Sequence, residues 1–294
     1  MDTPRFRQIG IVGAGRVAAA LALAFAPHSA APPMLWSRTA ERTRAAAARI
    51  GRTVVAAHAE GLMRMCDIVA IAVSDDAIES VADDLARLLP PGSAPMVFHV
   101  SGRSGVAILE PLRAAGAPTA AIHPAMTFTG DPGGETQRMA GARFAVTGST
   151  PEATAQAEHI VALLGGIAVE IAEDRRSLYH AALCHASNHL VTLIAGAANA
   201  LRDAGVDDPS AMLAPLVRAA LENSLDHGFA GLSGPLLRGD AQTIGGHLDT
   251  LKAHSPDLLP VYRAMARATL GELKRSGTTP SARLTALDSL LAVP

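Results

Sequence analysis

Gly13, Gly15 and Ala18 have a spacing that binds phosphate when it stands between a buried strand and a helix. They follow the apolar segment "QIGIV" and precede an alanine-rich apolar segment. The first glycine permits a tight turn, the second lets a pyrophosphate approach the backbone, and the small third residue lets helix and strand pack closely. The pattern predicts a dinucleotide cradle at a helix N-terminus, although a tight structural turn is the alternative. The cradle would consist of Gly13, Ala14, Gly15, Arg16 and Val17.

The end of the second predicted strand, "WSRT", indicates which dinucleotide would bind. NAD-binding proteins place a carboxylate about 20 residues beyond the glycine loop, where it bonds the ribose hydroxyls. This chain has Ser37, Arg38 and Thr39 there instead. Two hydroxyls and a guanidinium suit a 2′-phosphate, which predicts NADP(H) as the cofactor. The alternative is that Arg38 is a solvated charge at the head of the next helix.

Two further strand ends carry small polar residues. Ligands of open α/β sheets bind beyond the carboxyl ends of the strands. Val73 and Ser74 follow one strand, and Ser101 and Gly102 follow the next, so all four are expected to line the ribose and nicotinamide. Asp75 is interpreted as the cap of the helix that begins "DAIESV".

Histidines supply the candidate proton donors. Reduction of a ketone by hydride transfer leaves an alkoxide, which needs an acid and a hydrogen bond that orients the carbonyl. His123 ends a strand, and Pro124 fixes the chain there, so His123 is either a site residue or structural. Further along, four groups lie at i, i+4, i+7 and i+8 and therefore share one helix face. They are His180, Cys184, Ser187 and Asn188, and their shared face predicts a wet crevice facing the sheet, with a polar stripe at a subunit interface as the alternative.

Three other features of the sequence bear on metal binding, substrate binding and the choice of the acid. His185 and His189 have metal-chelating spacing without an acidic third ligand, so no metal site is expected. In "LSGPLLRGD", Arg238 could bind a substrate carboxylate or pair with Asp240, which is a candidate N-cap. Lysine is excluded as the acid on the long helix, because Lys252 and Lys274 are the only lysines.

The length and composition predict a cytoplasmic protein of two domains. The chain has 294 residues, 49% of them hydrophobic, and a formal net charge of -2. This balance argues against nucleic acid and against an anionic membrane surface. The N-terminus lacks a signal-peptide pattern, and the longest apolar run, residues 17–26, is about half of a membrane span. Cys66 and Cys184 are far apart, which suggests a reducing compartment.

Hydrophobic patterning predicts an α/β fold with an N-terminal doubly wound Rossmann domain and a second, all-α C-terminal domain. Residues 1–172 alternate short β-branched runs with helical segments, which implies parallel strands joined by crossovers. Residues 173–294 are expected to be helical, beginning with one long helix over residues 173–205. The predicted strands are "QIGIV", "PMLWS", "DIVAIAV", "PMVFHV", "TAAIH", "RFAVTG" and "GIAVEI". The later predicted helices are 207–227, 239–253, 257–275 and 281–291.

The order of these motifs resembles a known bacterial family. "IGIVGAGRV", "WSRT", "HVSG", "IHP", "HAALCHASN" and "LSGPLLRGD" look like a Rossmann-like protein followed by domain of unknown function 2520. That family is similar to reductases of the 6-phosphogluconate dehydrogenase-like superfamily, which usually dimerise through the helical domain. The resemblance implies a homodimer, and it covers nearly the whole chain.

The resemblance also suggests a substrate, because some relatives are taken to reduce 2-dehydropantoate to pantoate. Better-known ketopantoate reductases place a lysine four residues before an asparagine on the equivalent helix. Here Asn188 matches, but Cys184 stands at the lysine position. That departure leaves His180 or His123 as the proton donor.

Four functions stay open on the sequence. The first is NADPH-dependent reduction of a small 2-oxo acid, with Asn188 and Ser187 orienting the carbonyl and Arg238 binding the carboxylate. The second is an imine reductase that resembles pyrroline-5-carboxylate reductase, and the third is a prephenate-type dehydrogenase, suggested by "IHP". The fourth is a non-catalytic NADPH-binding regulator, although a polar helix face is unnecessary in a sensor.

Overall fold

The computed structural model describes residues 6–92, 94–277 and 281–292. Its contacts divide the chain into two compact units, residues 1–184 and 185–294. The first unit is an α/β fold and the second is helical, which confirms the predicted fold class.

The first unit contains one sheet of eight strands within the described residues, in the order β3-β2-β1-β4-β5-β6-β7-β8. Every strand foreseen from the sequence is present. The unforeseen strand, β3, has two exposed residues, too few for a periodicity to show. The strands are β1 (Ile9–Val12), β2 (Met34–Trp36), β3 (Val54–Val55), β4 (Ile68–Ile71), β5 (Met96–His99), β6 (Thr119–Pro124), β7 (Arg143–Gly148) and β8 (Ile167–Glu170).

One pairing differs from the parallel sheet predicted from the sequence, because β6 and β7 are antiparallel. The described pairs among β1 to β6, and the pair β7 with β8, are parallel. Between β6 and β7 the chain forms a single short helix, Pro132–Met139, which is about 12 Å long at 1.5 Å per residue. The chain therefore enters β7 at the same end of the sheet at which it left β6.

Helices cover both faces of this sheet. Strand residues alternate between the two faces, so Ile9 and Ile11 pack into one core and Val69 and Ile71 into the other. Burial on both faces explains why the central strands β1 and β4 are apolar throughout. The helices of this unit are α1 (Arg16–Phe25), α2 (Ala40–Ile50), α3 (Ala59–Met65), α4 (Ile78–Ala86), α5 (Glu110–Ala114), α6 (Pro132–Met139) and α7 (Pro151–Leu163).

The later helices follow the boundaries expected from the sequence within about two residues, whereas the long helix begins three residues later than expected, at Arg176, and the short helix at Pro235–Arg238 was not foreseen. Its own core includes Ile244, Leu270 and Leu287. Asp240 accepts a hydrogen bond from the Thr243 N–H, which confirms Asp240 as an N-cap. The helices are α8 (Arg176–Asp203), α9 (Pro209–His227), α10 (Pro235–Arg238), α11 (Ala241–His254), α12 (Leu259–Ser276) and α13 (Ser281–Ala292).

The boundary between the units falls inside α8, at Cys184 and His185, whereas the sequence placed it after residue 172. The difference arises because the first turns of α8 pack on the sheet. The Arg176 side chain is fully buried there, and the Tyr179 hydroxyl bonds a strand histidine.

Within the described residues, one helix is long and apolar enough to cross a membrane by length and composition. It spans Glu173–Asp203, where the best window has a mean hydropathy of 1.2 and is 6% buried. The sequence had pointed only to the shorter run at residues 17–26. That run is α1 with its short extension, and α1 lies in the core.

Candidate functional site

The glycine loop adopts the conformation that its pattern predicts. Gly13 has φ +135°, and a Cβ added there would lie 2.2 Å from the carbonyl oxygen of Ala72, so only glycine fits. Its N–H donates to the Trp36 carbonyl at 2.8 Å. Gly15 is the N-cap residue of α1, and a Cβ on Gly15 would meet nothing within 4 Å. The loop therefore leaves open space in front of a helix N-terminus.

A cleft of about 530 Å³ opens beside this loop. Ten of the sequence-predicted cofactor residues line it, namely Gly13, Ala14, Gly15, Arg16, Val17, Ser37, Arg38, Thr39, Val73 and Ser74. The cleft runs along the carboxyl ends of β1, β2 and β4, where open α/β sheets bind their ligands. Ser101 and Gly102 are not part of its lining, although the preceding residue, Val100, is.

Sequence reasoning missed Arg42 and Phe128, which also line the cleft. Arg38 precedes α2, and Arg42 lies four residues later, in the first turn of that helix. Both side chains are exposed. That spacing was the available signal. Phe128 lies in the loop after β6, where its carbonyl accepts a hydrogen bond from Arg16 at 3.3 Å.

Asp75 is not a helix cap, contrary to the interpretation from the sequence. It begins a short 3-10 turn, Asp75–Ala77, and its side chain makes no cap bond. Its carboxylate instead lies 3.9 Å from the guanidinium of Arg103. The chain before α4 turns too tightly for the aspartate to accept from that helix.

A second polar cluster lies around Gly102. A Cβ added to Gly102 would lie 2.6 Å from His180 Cδ2 and 2.9 Å from His123 Nε2. The two imidazole rings lie edge to face, with centroids 6.0 Å apart. His180 Nε2 lies 3.6 Å from Cys184 Sγ. The structure therefore brings together His123 and His180, 57 positions apart in the sequence, at one glycine.

Arg176, which sequence reasoning missed, locks this cluster in place. Its side chain is 0% exposed. Its two terminal nitrogens donate to the Ser101 carbonyl and to Thr147 Oγ1, each at 2.9 Å. No signal in the sequence distinguishes this arginine from its exposed neighbour Arg175.

His99 shapes the Ser101–Gly105 loop from inside the sheet. Its Nδ1 accepts the Ser101 N–H at 3.1 Å, so its Nε2–H donates to the Gly105 carbonyl at 2.8 Å. Glu173 holds the far end of the same loop, because its carboxylate accepts the N–H groups of Val106 and Ala107.

Both strand histidines are neutral near pH 7. Burial lowers the pKa of His99 to about 4, although the hydrogen bond to Gly105 opposes this. Burial also lowers the pKa of His123 to about 4, with smaller contributions from the nearby Arg176 and His180. The opposing carboxylate is Asp75. His123 therefore offers a hydrogen bond at neutral pH, and is not a charged imidazolium acid.

We expect the protein to lose stability between pH 7.5 and pH 5. A histidine whose folded pKa lies below its ordinary 6.5 stabilises the fold above that value, and the contribution is lost as the pH falls from 6.5 toward 4. At pH 5, His99 alone accounts for about 2 kcal/mol. Urea unfolding at the two pH values measures the difference.

His99→Gln should remove about half of the histidine contribution to this pH dependence, because the pKa of His123 is also lowered to about 4, and His58→Gln should leave it unchanged, because His58 is exposed. A free energy of unfolding that is equal at pH 7.5 and pH 5 would show that the strand histidines are accessible to protons in the folded state.

The remaining predicted site residues lie in the helical unit. Ser187 Oγ donates to Asn188 Oδ1 at 3.1 Å, and Asn188 is exposed. Arg238 is also exposed, while the Asp240 carboxylate bonds both the N–H and the hydroxyl of Thr243. Their expected roles in substrate binding stay predictions.

His185 and His189 approach each other, with 3.0 Å between their Nδ1 atoms. Within the ranges that the structure describes, no group of three or more metal-ligating side chains occurs. Cys66 and Cys184 are both free thiols.

Two domain families match the chain. Residues 1–124 match the Rossmann-like domain, and residues 142–269 match domain of unknown function 2520. These are the two parts that the sequence motifs resembled. No curated protein matches the chain.

Solved structures share the fold over almost the entire chain. A provisionally assigned NADP oxidoreductase of Bacteroides fragilis is 20% identical, covers 91% of this chain and 99% of its own, and has a TM-score of 0.73. A reductive aminase of Aspergillus terreus, in complex with NADPH and ethyl levulinate, is 18% identical with coverages of 96% and 99% and a TM-score of 0.63. A pyrroline carboxylate reductase of Plasmodium falciparum with NADP bound is 15% identical with coverages of 99% and 97% and a TM-score of 0.57. At these identities the likeness establishes the fold.

Proposed function

We propose that the protein is an NADP(H)-dependent oxidoreductase that reduces a small carbonyl or imine compound. The observation that carries the proposal is the cleft itself. A glycine loop, a helix N-terminus and three arginines line it, and a pair of histidines meets at Gly102, two residues beyond its lining residue Val100. Bound NADPH would supply the hydride, and the chain would supply the phosphate contacts and the polar groups at the acceptor.

NADP(H) is favoured over NAD(H) by the residues after β2. Arg38, Arg42, Ser37 and Thr39 line that end of the cleft. Two guanidinium groups match the charge and geometry of a 2′-phosphate. Solved structures of similar fold contain NADP or NADPH, which supports the same choice.

The first candidate reaction is the reduction of a 2-oxo acid, with 2-dehydropantoate as the first compound to test. Hydride from NADPH adds to the carbonyl carbon, and the resulting alkoxide takes a proton that water supplies, relayed through His180 while the neutral His123 donates a hydrogen bond. His123 and His180 are the proposed groups at that oxygen. Asn188 and Ser187 as carbonyl-orienting groups, and Arg238 as the carboxylate ligand, complete the proposal.

A second candidate, reduction of an imine, is favoured by the lowered pKa of His123. A protonated imine accepts hydride and becomes an amine without a further proton, so a neutral imidazole suffices as a hydrogen-bond partner. The fold is also shared with a reductive aminase and a pyrroline carboxylate reductase.

The test follows nicotinamide absorbance after the purified protein is mixed with NADPH and either 2-dehydropantoate or 1-pyrroline-5-carboxylate, with NADH in parallel. Oxidation of NADPH with one substrate selects between the two reactions. Tight NADPH binding without turnover on either, or on a wider set of ketones and imines, would favour a regulator. NADP reduction with prephenate would favour the dehydrogenase alternative. Failure to bind NADPH would reject the proposal.

A homodimer in the cytoplasm is part of the proposal. Apolar side chains stand exposed on two helices of the helical unit, including Val191 on α8 and Leu216 and Leu225 on α9. Side chains of both helices, among them Ile194 and Leu216, line one groove, and a contiguous apolar surface usually marks a protein interface. Exposed polar residues of α8, such as Thr192 and Asn199, favour a protein partner over lipid as its cover. We expect twice the mass of 30.2 kDa in solution; light scattering coupled to gel filtration measures it, and a monomer at micromolar concentration would contradict the dimer.

A further inference from the structure

We infer that Tyr179 is a positioning residue that fixes the tautomer of His123, so that His123 Nε2–H faces the reacting atom of the substrate. This inference rests on the proposed function. The pair joins α8 to β6 within the first unit of the chain.

The contact between Tyr179 and His123 is short and well oriented. The Tyr179 hydroxyl lies 2.8 Å from His123 Nδ1. The two rings are 5.7 Å apart at an interplanar angle of 85°. Burial raises the pKa of Tyr179 above its ordinary value of 10.0, so the phenol keeps its proton and is able to donate it to Nδ1, which is the direction that the inference assigns.

The neutral state of His123 makes this contact decisive. A neutral imidazole has one N–H and one acceptor nitrogen, and the hydrogen bond at one nitrogen selects which is which. If Nδ1 accepts the phenol proton, Nε2 carries the hydrogen. His123 Nε2 is also the atom nearest to the missing Cβ of Gly102 on this ring, at 2.9 Å. The Nε2 side of the ring therefore occupies the room that the absent side chain of Gly102 leaves, next to His180.

The first turn of α8 holds Tyr179 rigidly enough for this role. Arg176, three residues earlier, is fully buried and bonds the Ser101 carbonyl and Thr147 Oγ1. Those bonds join α8 to the loop after β5 and to β7, the two strands on either side of β6. His180, the next residue after Tyr179, reaches the same glycine from the helix.

The charged and titratable groups around His123 agree with a neutral donor. Arg176, His180 and His99 lower its pKa, and Asp75 raises it by a smaller amount than burial lowers it. A neutral Nε2–H can stabilise charge that develops on a carbonyl oxygen during hydride transfer without first losing its own proton. For an imine substrate, the same group orients the nitrogen substituent or a bound water.

The second unit provides a matched control. Tyr262 and His247 form the same kind of pair, with 2.8 Å between hydroxyl and Nδ1 and rings 5.9 Å apart at 86°. This pair is remote from Gly102 in the sequence and belongs to helices α11 and α12. Tyr262→Phe removes an equivalent hydroxyl from an equivalent bond.

The test reads the tautomer directly, without substrate. Long-range proton–nitrogen spectra of the ¹⁵N-labelled full chain at pH 7.5 are recorded for the wild type, Tyr179→Phe and Tyr262→Phe, with His123→Gln to assign the signals. We expect the wild type and Tyr262→Phe to hold His123 in the Nε2–H form, and Tyr179→Phe to give a mixture of the two tautomers. A wild-type His123 in the Nδ1–H form would overturn the inference.

Kinetics then separates this inference from the proposed function. With a substrate in hand, Tyr179→Phe should lower kcat about 10-fold to 100-fold and leave the NADPH Kd within about threefold, while Tyr262→Phe changes neither. An unchanged kcat in Tyr179→Phe would reduce the pair to a structural contact. If no substrate turns over, the proposed function fails, and the spectra still decide whether Tyr179 fixes the tautomer.

Discussion

Replacing both Arg38 and Arg42 by alanine is expected to weaken NADPH binding at least 100-fold and to change NADH binding less than about threefold. Both side chains are exposed and line the cleft. A hydrogen bond to a charged group contributes about 1.5–3 kcal/mol, and two such bonds to the 2′-phosphate exceed the 2.7 kcal/mol that a 100-fold change requires. NADH lacks that phosphate and therefore loses little.

Fluorescence titration of the reduced nicotinamides measures both dissociation constants. The matched control is Arg44→Ala with Arg49→Ala, which removes two exposed positive charges from the same helix without touching the cleft. That control should weaken NADPH binding less than threefold at physiological ionic strength, because distant surface charges are screened. An equal loss for NADH and NADPH in the test variant would show that the arginines support the cleft without reading the phosphate.

The lining of the cleft was predictable because its signals are local. The turn at Gly13, the open helix start at Gly15 and the residues after β2 each depend on a few consecutive positions, and the structure has them in one cleft. Parallel strands that are buried on both faces can also be recognised in the sequence, because they are apolar throughout.

The histidine cluster was only half predictable, because its geometry depends on contacts between distant segments. His123 and His180 were identified as isolated candidates, but their meeting at Gly102 requires the packing of α8 on the sheet. The burial of Arg176 was unpredictable for the same reason. An arginine in the first turn of a helix is ordinarily solvated, and its burial follows from acceptors 75 and 29 positions away.

The same limit explains the incorrect expectations. The antiparallel β7 depends on how far a short helix carries the chain, which periodicity alone does not encode. Asp75 stands where an N-cap is common, but the turn that follows places its carboxylate toward Arg103. Local propensity is overridden in both cases by the tertiary path of the chain.

Gly102→Ala is expected to lower kcat about 100-fold or more while the protein stays folded and binds NADPH within about fivefold of the wild type. The added methyl group would lie 2.6 Å from His180 and 2.9 Å from His123, so at least one imidazole must move. A displacement of about 1 Å at a reacting group costs about 100-fold in rate. The backbone itself tolerates alanine, because Gly102 is outside the positive-φ glycines.

Steady-state kinetics and thermal melting together test this expectation. Gly246→Ala is the control, since a Cβ there meets nothing within 4 Å and the residue lies inside helix α11. It should leave kcat unchanged and stabilise the helix by about 0.5–1 kcal/mol. Wild-type turnover in Gly102→Ala would place the reacting atom away from the two histidines. A large drop in melting temperature together with the loss of turnover would assign that loss to folding. The expected pattern, lost turnover with retained NADPH binding and melting, separates the acceptor end of the site from its cofactor cleft.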